Sequence, residues 1–190
     1  EFNFENILAA FATLCVSGFD IEEIAKALSG FTGIPGRMEY FLAEDKPLLV
    51  VDYAHTPDAL EKALIALRPY CSGKLYCVFG CGGDRDVGKR SQMGGISERL
   101  SDQVVLTNDN PRTENPEQIV ENILEGIKNK SSVTIKYDRS DAITNTFLNA
   151  SKNDVILIAG KGHETTQQLG VSVLPFSDRE LARRLTDMAS

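Results

Sequence analysis

Residues 104–114 have the sequence VVLTNDNPRTE. The apolar, β-branched run at its start is typical of a buried strand, and Asn115 followed by Pro116 is a typical helix start. We therefore predict that Thr107 to Glu114 form a loop at the carboxyl end of a strand, where open α/β sheets bind their ligands. The alternative is a polar surface turn without a ligand.

The same pattern of apolar strand, polar loop and helix recurs from Arg37 onward. Strands are predicted at Leu48–Tyr53, Leu75–Phe79, Val104–Thr107, Val133–Tyr137, Asp154–Ala159 and, at an edge of the sheet, Val171–Leu174. Helix starts are predicted at the capping residues Asp20, Thr56, Asn115 and Ser177. Strands that are apolar on both faces and alternate with helices predict an α/β fold. We expect a mostly parallel sheet of about six strands, with helices on both faces.

The start of the chain has a different character, with two predicted helices in residues 1–30. The first, Asn6–Val16, is apolar nearly all round, which indicates a helix buried on most sides. A stretch with three glycines and a proline follows, at residues 30–36. We interpret residues 1–36 as a short helical remnant of another domain, and residues 37–190 as the α/β domain.

Composition excludes several classes of protein. The net charge of −7 argues against nonspecific nucleic-acid binding, which needs a basic face. No apolar run approaches the ~20 residues of a membrane span, and no signal sequence is recognised. The four cysteines show no CxxC spacing and there are only two histidines, so neither a disulfide framework nor a metal site is expected. Reduced thiols fit a cytoplasmic protein.

The glycine-rich loop after the second strand resembles two nucleotide-binding motifs without matching either. Gly83–Lys89 has the GxxxxGK spacing of a phosphate-binding loop, but Arg90 follows where a Ser or Thr should reach magnesium. Asp84 and Asp86 would repel a polyphosphate. A dinucleotide-binding GxGxxG fails because Arg85 replaces its third glycine, which argues against a nicotinamide-dependent oxidoreductase. Backbone amides of such a loop can still receive an anion, and a carboxylate fits better than a diphosphate.

Three polar loops at strand ends together suggest the ligand. Arg85 and Arg112 offer planar guanidinium groups for a carboxylate. Asp109 and Glu164 offer acceptors for an ammonium, and Asn110 can serve either group. A site with both signs of charge suits a zwitterion, meaning an amino acid. The alternative, that these charges pair with each other as a solvated network, stays open at this point.

Two further residues follow the first predicted strand. His55, in an Ala-His-Thr-Pro turn, can contact a nucleotide or a substrate carbonyl, or instead cap the local backbone. Asp52 ends an apolar strand, and a carboxylate there is costly unless it is paired or bound to a ligand. A ribose diol is one suitable partner.

Five motifs occur in this order: Gly36–Glu39 (GRME), Asp52–Pro57 (DYAHTP), Gly80–Arg85 (GCGGDR), Asp109–Arg112 (DNPR) and Gly160–Glu164 (GKGHE). Together they resemble the C-terminal domain of the Mur ligases, and within that family the members that add meso-diaminopimelate to UDP-N-acetylmuramoyl-L-alanyl-D-glutamate. The resemblance implies a Rossmann-like C-terminal domain at residues 37–190. Residues 1–36 resemble the closing helices of the central, ATP-hydrolysing domain.

The resemblance also implies roles for individual residues. The diaminopimelate-binding residues would be Arg85, Asp109, Asn110, Arg112, the Gly160 carbonyl and Glu164. ATP would be contacted by Arg37, Asp52 and His55. No catalytic residue and no metal ligand are expected in this chain, because ATP and Mg²⁺ would be bound mainly by the central domain.

The implied reaction is an ATP-driven ligation in peptidoglycan precursor synthesis. A glutamyl side-chain carboxylate is activated as an acyl phosphate, which the amine of diaminopimelate then attacks. The protein would be cytoplasmic and monomeric, and this chain alone would be inactive. The alternative is a free-standing amino-acid-binding module without ligase activity, which predicts tight binding of diaminopimelate by this chain with nothing else present.

Overall fold

The computed structural model describes residues 2–31 and 33–188, with side chains from residue 5 onward. The chain divides into two compact units, Glu1–Gly33 and Ile34–Ser190. The division falls within the stretch of glycines and proline at residues 30–36. Assignment of the first unit to another domain's closing helices stays a prediction.

The first unit contains two helices, α1 (Phe2–Val16) and α2 (Ile21–Ser29). Asp20 caps α2 as predicted, because its Oδ1 accepts hydrogen bonds from the Glu22 and Glu23 amides at 2.9 and 3.2 Å. The expectation that the first helix is buried on most sides is not met within the described residues. A helix with apolar residues all round needs more surface than one short neighbour supplies, and four of its large apolar side chains are exposed: Ile7, Leu8, Leu14 and Val16.

The second unit contains eight strands and five helices within the described residues. They are β1 (Glu39–Phe41), β2 (Leu48–Asp52), α3 (Pro57–Leu67), β3 (Leu75–Phe79), α4 (Gly88–Leu100), β4 (Gln103–Leu106), α5 (Pro116–Leu124), β5 (Thr134–Ile135), α6 (Arg139–Asn149), β6 (Val155–Ala159), β7 (Thr166–Leu169), β8 (Ser172–Pro175) and α7 (Asp178–Asp187). The predicted caps at Thr56, Asn115 and Ser177 are confirmed, since each side chain accepts a hydrogen bond from an amide of the following helix.

Six strands form one sheet in the order β1-β2-β6-β3-β4-β5. All neighbouring pairs are parallel except β1 with β2, which confirms the predicted mostly parallel sheet. Strand β6 lies at the centre, where Leu157 is opposite Val50 on one side and Cys77 on the other. All five of its residues are buried, as expected for the most hydrophobic strand of the chain.

Helices cover both faces of this sheet, as predicted. One face packs against α6 and α7 through a core that includes Val51, Ile156, Phe147 and Leu181. Side chains of adjacent strand residues point to opposite faces of the sheet. The other face is covered by α3, α4 and α5. Their buried residues include Leu60, Leu64, Met93 and Ile123.

The predicted edge strand at 171–174 is wrong as a member of this sheet. Residues Ser172–Pro175 instead pair antiparallel with Thr166–Leu169 in a separate two-stranded sheet. Gly170, with φ of +60°, lies in the tight turn between them. The sixth strand of the main sheet is β1, which sequence reasoning missed because three residues are too few to show a period.

The fold brings four loops to one edge of the sheet. Strands β2, β6, β3 and β4 are parallel neighbours, so their carboxyl ends lie side by side. The loops that follow them comprise residues 53–56, 160–165, 80–87 and 107–115, and we call them the polar edge. Within the described residues no helix is long and apolar enough to cross a membrane.

Candidate functional site at the polar edge

The glycine loop after β3 packs directly on the loop after β4. The Gly83 amide donates to the Asn110 carbonyl at 2.9 Å. A Cβ atom added at Gly80 would lie 2.0 Å from the Thr107 oxygen, and one added at Gly83 would lie 1.9 Å from the Pro111 oxygen. These glycines therefore serve close packing of two backbones.

An ion pair between a buried arginine and a partly exposed glutamate links the same two loops. Arg90 has no exposed surface, and its two terminal nitrogens lie 2.6 and 2.7 Å from the carboxylate oxygens of Glu114. Arg90 also donates to the Gly82 carbonyl at 3.2 Å. These hydrogen bonds lower the pKa of Glu114, against a smaller opposing effect of burial. Sequence reasoning used Arg90 only to reject a phosphate-binding loop and missed this role.

Asp84 is a structural residue of the polar edge. It lies in the left-handed region, with φ of +53°, and its carboxylate accepts from the Thr113 amide at 3.1 Å and hydroxyl at 3.0 Å. Its own amide donates to Glu114 at 3.0 Å. The Asp84 carboxylate is thus turned toward the neighbouring loop.

Arg112 is held by backbone oxygens and has no carboxylate partner among the described residues. It too is left-handed, with φ of +53°. Its Nη1 donates to the Gly83 carbonyl at 2.8 Å and to the Asn110 carbonyl at 3.4 Å. Neutral carbonyls leave the positive charge of the guanidinium uncompensated, so the group remains available to an anion.

Arg85 and Arg112 both lie next to Gly82. A Cβ atom added at Gly82 would be 2.9 Å from the Arg112 Nη1 and 3.7 Å from the Arg85 Cγ. Arg85 is exposed, and its hydrogen bond in the described structure is a long one, 3.4 Å to the Asp84 carbonyl. The fold therefore brings the two predicted arginines to one glycine, and neither forms an ion pair with a described residue.

Asn110, Lys161 and Glu164 form a hydrogen-bonded group that we call the Asn110 cluster. The Asn110 Nδ2 donates to the Glu164 Oε2 at 3.0 Å. The Lys161 ammonium donates to the Asn110 Oδ1 at 3.0 Å and to the Glu164 Oε2 at 2.7 Å. The Gln168 amide, from β7, also donates to the Asn110 Oδ1 at 2.9 Å. Loops after β4 and β6 and the small sheet therefore meet at one side-chain amide.

Glu164 remains ionised at neutral pH in this environment. Burial on its own would raise the pKa of Glu164, but hydrogen bonds from Lys161 and Asn110, together with the positive charges of Lys161 and Arg139, lower it. Its side chain is 33% exposed, so part of the carboxylate can meet a ligand.

Asp109 differs from Glu164 in forming no ion pair or side-chain hydrogen bond among the described residues. It is half-buried, and burial raises the pKa of its carboxyl, while the nearby positive charges of Arg139 and Lys161 oppose that rise. Gly160, with φ of +117°, lies next to it: a Cβ there would be 2.7 Å from the Asp109 Oδ2. A half-buried carboxylate without a donor is suited to receive an ammonium group.

A second ion pair lies beneath Asp109. Arg139 and Asp178 are both wholly buried and bond through two contacts of 2.8 Å. The same guanidinium donates to the Ala159 carbonyl at 3.0 Å and the Asn108 carbonyl at 3.4 Å. Arg139 therefore joins the end of β6 to the start of the loop that carries Asp109. Sequence reasoning missed it.

Four side chains at the other end of the polar edge form what we call the Tyr53 cluster. The Arg37 guanidinium lies 4.4 Å above the centre of the Tyr53 ring. The His55 and His163 rings lie 4.6 and 5.2 Å from it, centre to centre. Arg37, His55 and His163 are exposed, so an aromatic and cationic surface faces solvent. The 160–165 loop contributes to both clusters.

Asp52 and His55 each have a partner within the chain. The Asp52 Oδ2 accepts from the Met38 amide at 2.8 Å, and His55 Nδ1 lies 2.8 Å from the Tyr53 carbonyl. Burial raises the pKa of Asp52, opposed by backbone hydrogen bonds and by the charge of Arg37. Arg37 and His55 therefore share one cluster, and Asp52 lies at the strand end below it.

The thiols and potential metal ligands offer no further site within the described residues. No group of three His, Cys, Asp or Glu side chains there is placed to hold a metal ion. All four cysteines are free, and burial raises the pKa of Cys81 to about 12, so that thiol is not an ionised nucleophile.

The structure adds five residues that the sequence did not single out for a role: Tyr53, Arg90, Arg139, Lys161 and His163. Three of them, Tyr53, Lys161 and His163, lie inside quoted motifs, so position in a motif at a strand end was the available signal. Arg90 and Arg139 gave no signal in the sequence. A buried arginine cannot be distinguished from an exposed one until the position of its partner in the fold is known.

Comparison with known proteins identifies the family. A family model described as "Mur ligase, glutamate ligase domain" matches residues 36–162. The chain belongs to the Mur ligase family. It is 52% identical over 97% of its length to the UDP-N-acetylmuramoyl-L-alanyl-D-glutamate–2,6-diaminopimelate ligase of Coxiella burnetii, and 53% identical over 96% to that of Gloeobacter violaceus. It spans 38% of the length of each of these relatives.

Solved structures agree on the fold. A 2,6-diaminopimelate ligase of the same name aligns with a TM-score of 0.77 at 41% identity, covering 99% of this chain and 39% of that one. An alanine-adding relative from Thermotoga maritima aligns with a TM-score of 0.66 at 20% identity, which bears on the fold alone. The predicted Rossmann-like α/β fold and the predicted family are thus confirmed.

Proposed function

We propose that this chain is the C-terminal, amino-acid-binding part of a cytoplasmic, monomeric, ATP-dependent ligase. The ligase would add meso-diaminopimelate to UDP-N-acetylmuramoyl-L-alanyl-D-glutamate. Residues 37–190 would form the amino-acid-binding domain, and residues 1–36 the closing helices of the central domain. The names and high identity of the relatives support the reaction, and the charges of the polar edge support the division of roles.

One observation carries the proposal: the charges left without an opposite partner at the polar edge. Arg85 and Arg112 are two cations bordering Gly82, and Asp109 is a half-buried anion beside Gly160. Three neighbouring arginine and lysine side chains are instead paired with carboxylates, namely Arg90 with Glu114, Arg139 with Asp178 and Lys161 with Glu164. Two guanidinium groups and one carboxylate complement a ligand that carries both a carboxylate and an ammonium.

This arrangement also accounts for substrate choice. Lysine differs from diaminopimelate in lacking one carboxylate at the far end of the side chain. We propose that Arg85 and Arg112 bind that carboxylate, with Asn110 beside them, while Asp109, the Gly160 carbonyl and Glu164 receive the ammonium of the same centre. Lysine would leave two guanidinium groups unpaired, and a site built around a polar partner rejects the analogue that lacks it by ~10⁴-fold or more.

The Tyr53 cluster suits part of a nucleotide. An exposed guanidinium stacked on an aromatic ring offers a positive charge to phosphate and a flat surface to a base or sugar. We propose that Arg37, Asp52 and His55 contact ATP here. Mg²⁺ and most of the phosphate contacts would belong to the rest of the ligase.

The contribution of this chain to the reaction would be positioning. The glutamyl carboxylate is activated by ATP as an acyl phosphate, and the amine of diaminopimelate then attacks it with release of phosphate. The polar edge would hold the far amino-acid centre of diaminopimelate, so that its other amine is presented in one orientation. Orientation of this kind is a large part of what an enzyme supplies to a reaction between two bound substrates.

The test is to join this chain to the corresponding N-terminal part of the Coxiella burnetii relative and measure phosphate release. We expect release that requires ATP, Mg²⁺, the UDP-linked dipeptide and diaminopimelate together, and an amide product by mass spectrometry. A soluble, folded joined protein that releases no phosphate with diaminopimelate would contradict the proposal.

The alternative, a free-standing amino-acid-binding module, is distinguished by titrating this chain alone with meso-diaminopimelate in a calorimeter. The preformed Asn110 cluster is the observation in its favour. A micromolar dissociation constant would support the module, whereas the ligase proposal predicts weak binding until the remaining domains are joined.

A further inference from the structure

Lys161 is a charged residue of the polar edge that the proposed function does not use. Its side chain has no exposed surface. Burying an ammonium is costly unless the charge is paired and hydrogen-bonded. Lys161 meets this requirement through Glu164 at 2.7 Å and Asn110 at 3.0 Å, which are two of the residues proposed to bind the amino acid.

The contact with Asn110 determines which way its amide points. A side-chain amide has one oxygen, which accepts, and one nitrogen, which donates. The oxygen of Asn110 receives two donors, the Lys161 ammonium and the Gln168 amide at 2.9 Å. The nitrogen must then face Glu164, 3.0 Å away, and one of its two hydrogens remains for another acceptor.

A purely structural role for Lys161 would require less than this. Closing the 160–165 loop needs only the ion pair with Glu164, three residues along the chain. The bond to Asn110 reaches a different loop, which follows a different strand, and it meets the oxygen that the small sheet also holds. Lys161 therefore acts on two ligand-facing groups while its own nitrogen stays out of solvent.

We propose that Lys161 is a positioning residue for the amino-acid substrate, which orients Asn110 and Glu164 and does not itself contact the ligand. The inference deepens the proposed function and rests on it. Without the ammonium, Glu164 loses its charged partner and its carboxylate is drawn toward solvent, away from the Asn110 nitrogen.

The first test is structural and uses this chain as it stands. Crystal structures of the chain with Lys161→Met and with Lys152→Met are compared with the unsubstituted chain. Lys152 is the matched control, since it is an exposed lysine paired with Asp45 away from the polar edge. We expect the Glu164 carboxylate to leave hydrogen-bond distance of Asn110 only in Lys161→Met. An unchanged Asn110–Glu164 contact would overturn the proposal.

The second test is kinetic and uses the joined ligase. Lys161→Met should raise the Michaelis constant for diaminopimelate by about 30-fold or more, the usual consequence of removing one partner of a buried charged pair. The Michaelis constant for ATP should stay within about twofold of the value for the unsubstituted ligase. In Lys152→Met, the Michaelis constants for ATP and for diaminopimelate should both stay within about twofold. A merely structural defect would lower the amount of active enzyme and leave the Michaelis constant for diaminopimelate unchanged, which would overturn the proposal.

A double-mutant cycle separates action through the cluster from direct contact with the ligand. In a ligase already carrying Asn110→Ala and Glu164→Ala, adding Lys161→Met should change kcat/KM for diaminopimelate by no more than about twofold, because both groups it orients are gone. A full further loss would show direct contact and overturn the proposal. If the unsubstituted joined ligase is inactive with diaminopimelate, the proposed function fails, and the crystal structures still decide whether Lys161 orients its neighbours.

Discussion

The two ends of the polar edge are built differently. The end that includes Arg85, Asp109, Asn110, Arg112 and Glu164 is called the amino-acid end, after its proposed ligand. It is supported by side-chain hydrogen bonds between its loops and by two ion pairs: Arg139 with Asp178, which is wholly buried, and Arg90 with Glu114, whose carboxylate side chain is 25% exposed. The Tyr53 cluster consists of two exposed imidazole rings and one exposed guanidinium around the partly buried Tyr53 ring. The first end is therefore held mainly by contacts within this chain, whereas the second presents exposed groups to solvent.

The difference suggests how each end recognises its ligand. The guanidinium groups of the amino-acid end can reject an analogue that lacks a carboxylate, because they would be left without an anion. Stacked exposed groups contribute smaller energies and tolerate variation in their partner. Substitutions at the amino-acid end should accordingly have large and specific effects, and those at the Tyr53 cluster should have small ones.

The largest effect is expected from Arg112→Ala in the joined ligase. Removing one partner of a desolvated charge pair typically costs about 2–5 kcal/mol, so the Michaelis constant for diaminopimelate should rise by at least about 30-fold. The constant for ATP should hardly change. Arg112→Lys is the control for charge alone, because an ammonium cannot form the two parallel bonds of a guanidinium. Unaltered kinetics for diaminopimelate in Arg112→Ala would remove this residue from the site.

The free energy of unfolding should depend strongly on the buried Arg139–Asp178 pair beneath the amino-acid end. Asp178→Ala leaves Arg139 buried without its partner, and breaking a buried pair in this way costs about 3–5 kcal/mol of unfolding free energy. Lys152→Ala is the matched control, since its pair with Asp45 is exposed and should contribute less than about 1 kcal/mol. Urea unfolding followed by circular dichroism gives both values, and equal losses would refute the distinction between them.

Much of this support could not be predicted from sequence. The strands, the caps at Asp20, Thr56 and Ser177, and the loops at strand ends follow from local patterns of apolar and capping residues. Arg139 and Asp178 are 39 positions apart, so nothing local marks them as partners. The short strand at 39–41 and the separate pairing of 172–175 depend on which neighbours the folded sheet supplies.

The candidate site was partly predictable for the same reason. Arg85, Asp109, Asn110, Arg112 and Glu164 each follow an apolar strand, and parallel strands bring such loops to one edge. Sequence left open whether these charges pair with each other. The structure shows that Glu164 pairs with Lys161, while Arg85 and Arg112 form no ion pair among the described residues. Whether two such charges pair depends on the distance between them in the fold, which the sequence does not give.

A moderate effect is expected from Tyr53→Ala. Loss of the ring removes the surface on which Arg37 stacks, and such contacts contribute about 1 kcal/mol at exposed sites. The Michaelis constant for ATP should rise about fivefold, while that for diaminopimelate stays the same. Tyr53→Phe keeps the ring and should behave like the unsubstituted ligase. A larger effect on diaminopimelate than on ATP would contradict the separation of the two ends.

The smallest effect is expected from Asp109→Asn on stability. Burial raises the folded-state pKa of Asp109, so the folded chain binds a proton more readily than the unfolded one. Its contribution to stability is therefore present at low pH and lost as pH rises through the folded pKa. Asp109→Asn should be slightly more stable than the unsubstituted chain at pH 7, with the difference vanishing below about pH 3.8, the ordinary aspartate value. Thermal unfolding across that range checks the sign, and destabilisation at pH 7 would contradict it.

The central claim is that the amino-acid end selects its substrate through the far carboxylate. The most direct measurement is kcat/KM of the unsubstituted joined ligase for meso-diaminopimelate and for lysine under identical conditions. The account predicts a preference for diaminopimelate of ~10⁴-fold or more, because lysine leaves Arg85 and Arg112 without an anion. Comparable values for the two amino acids would show that these arginines do not choose the substrate.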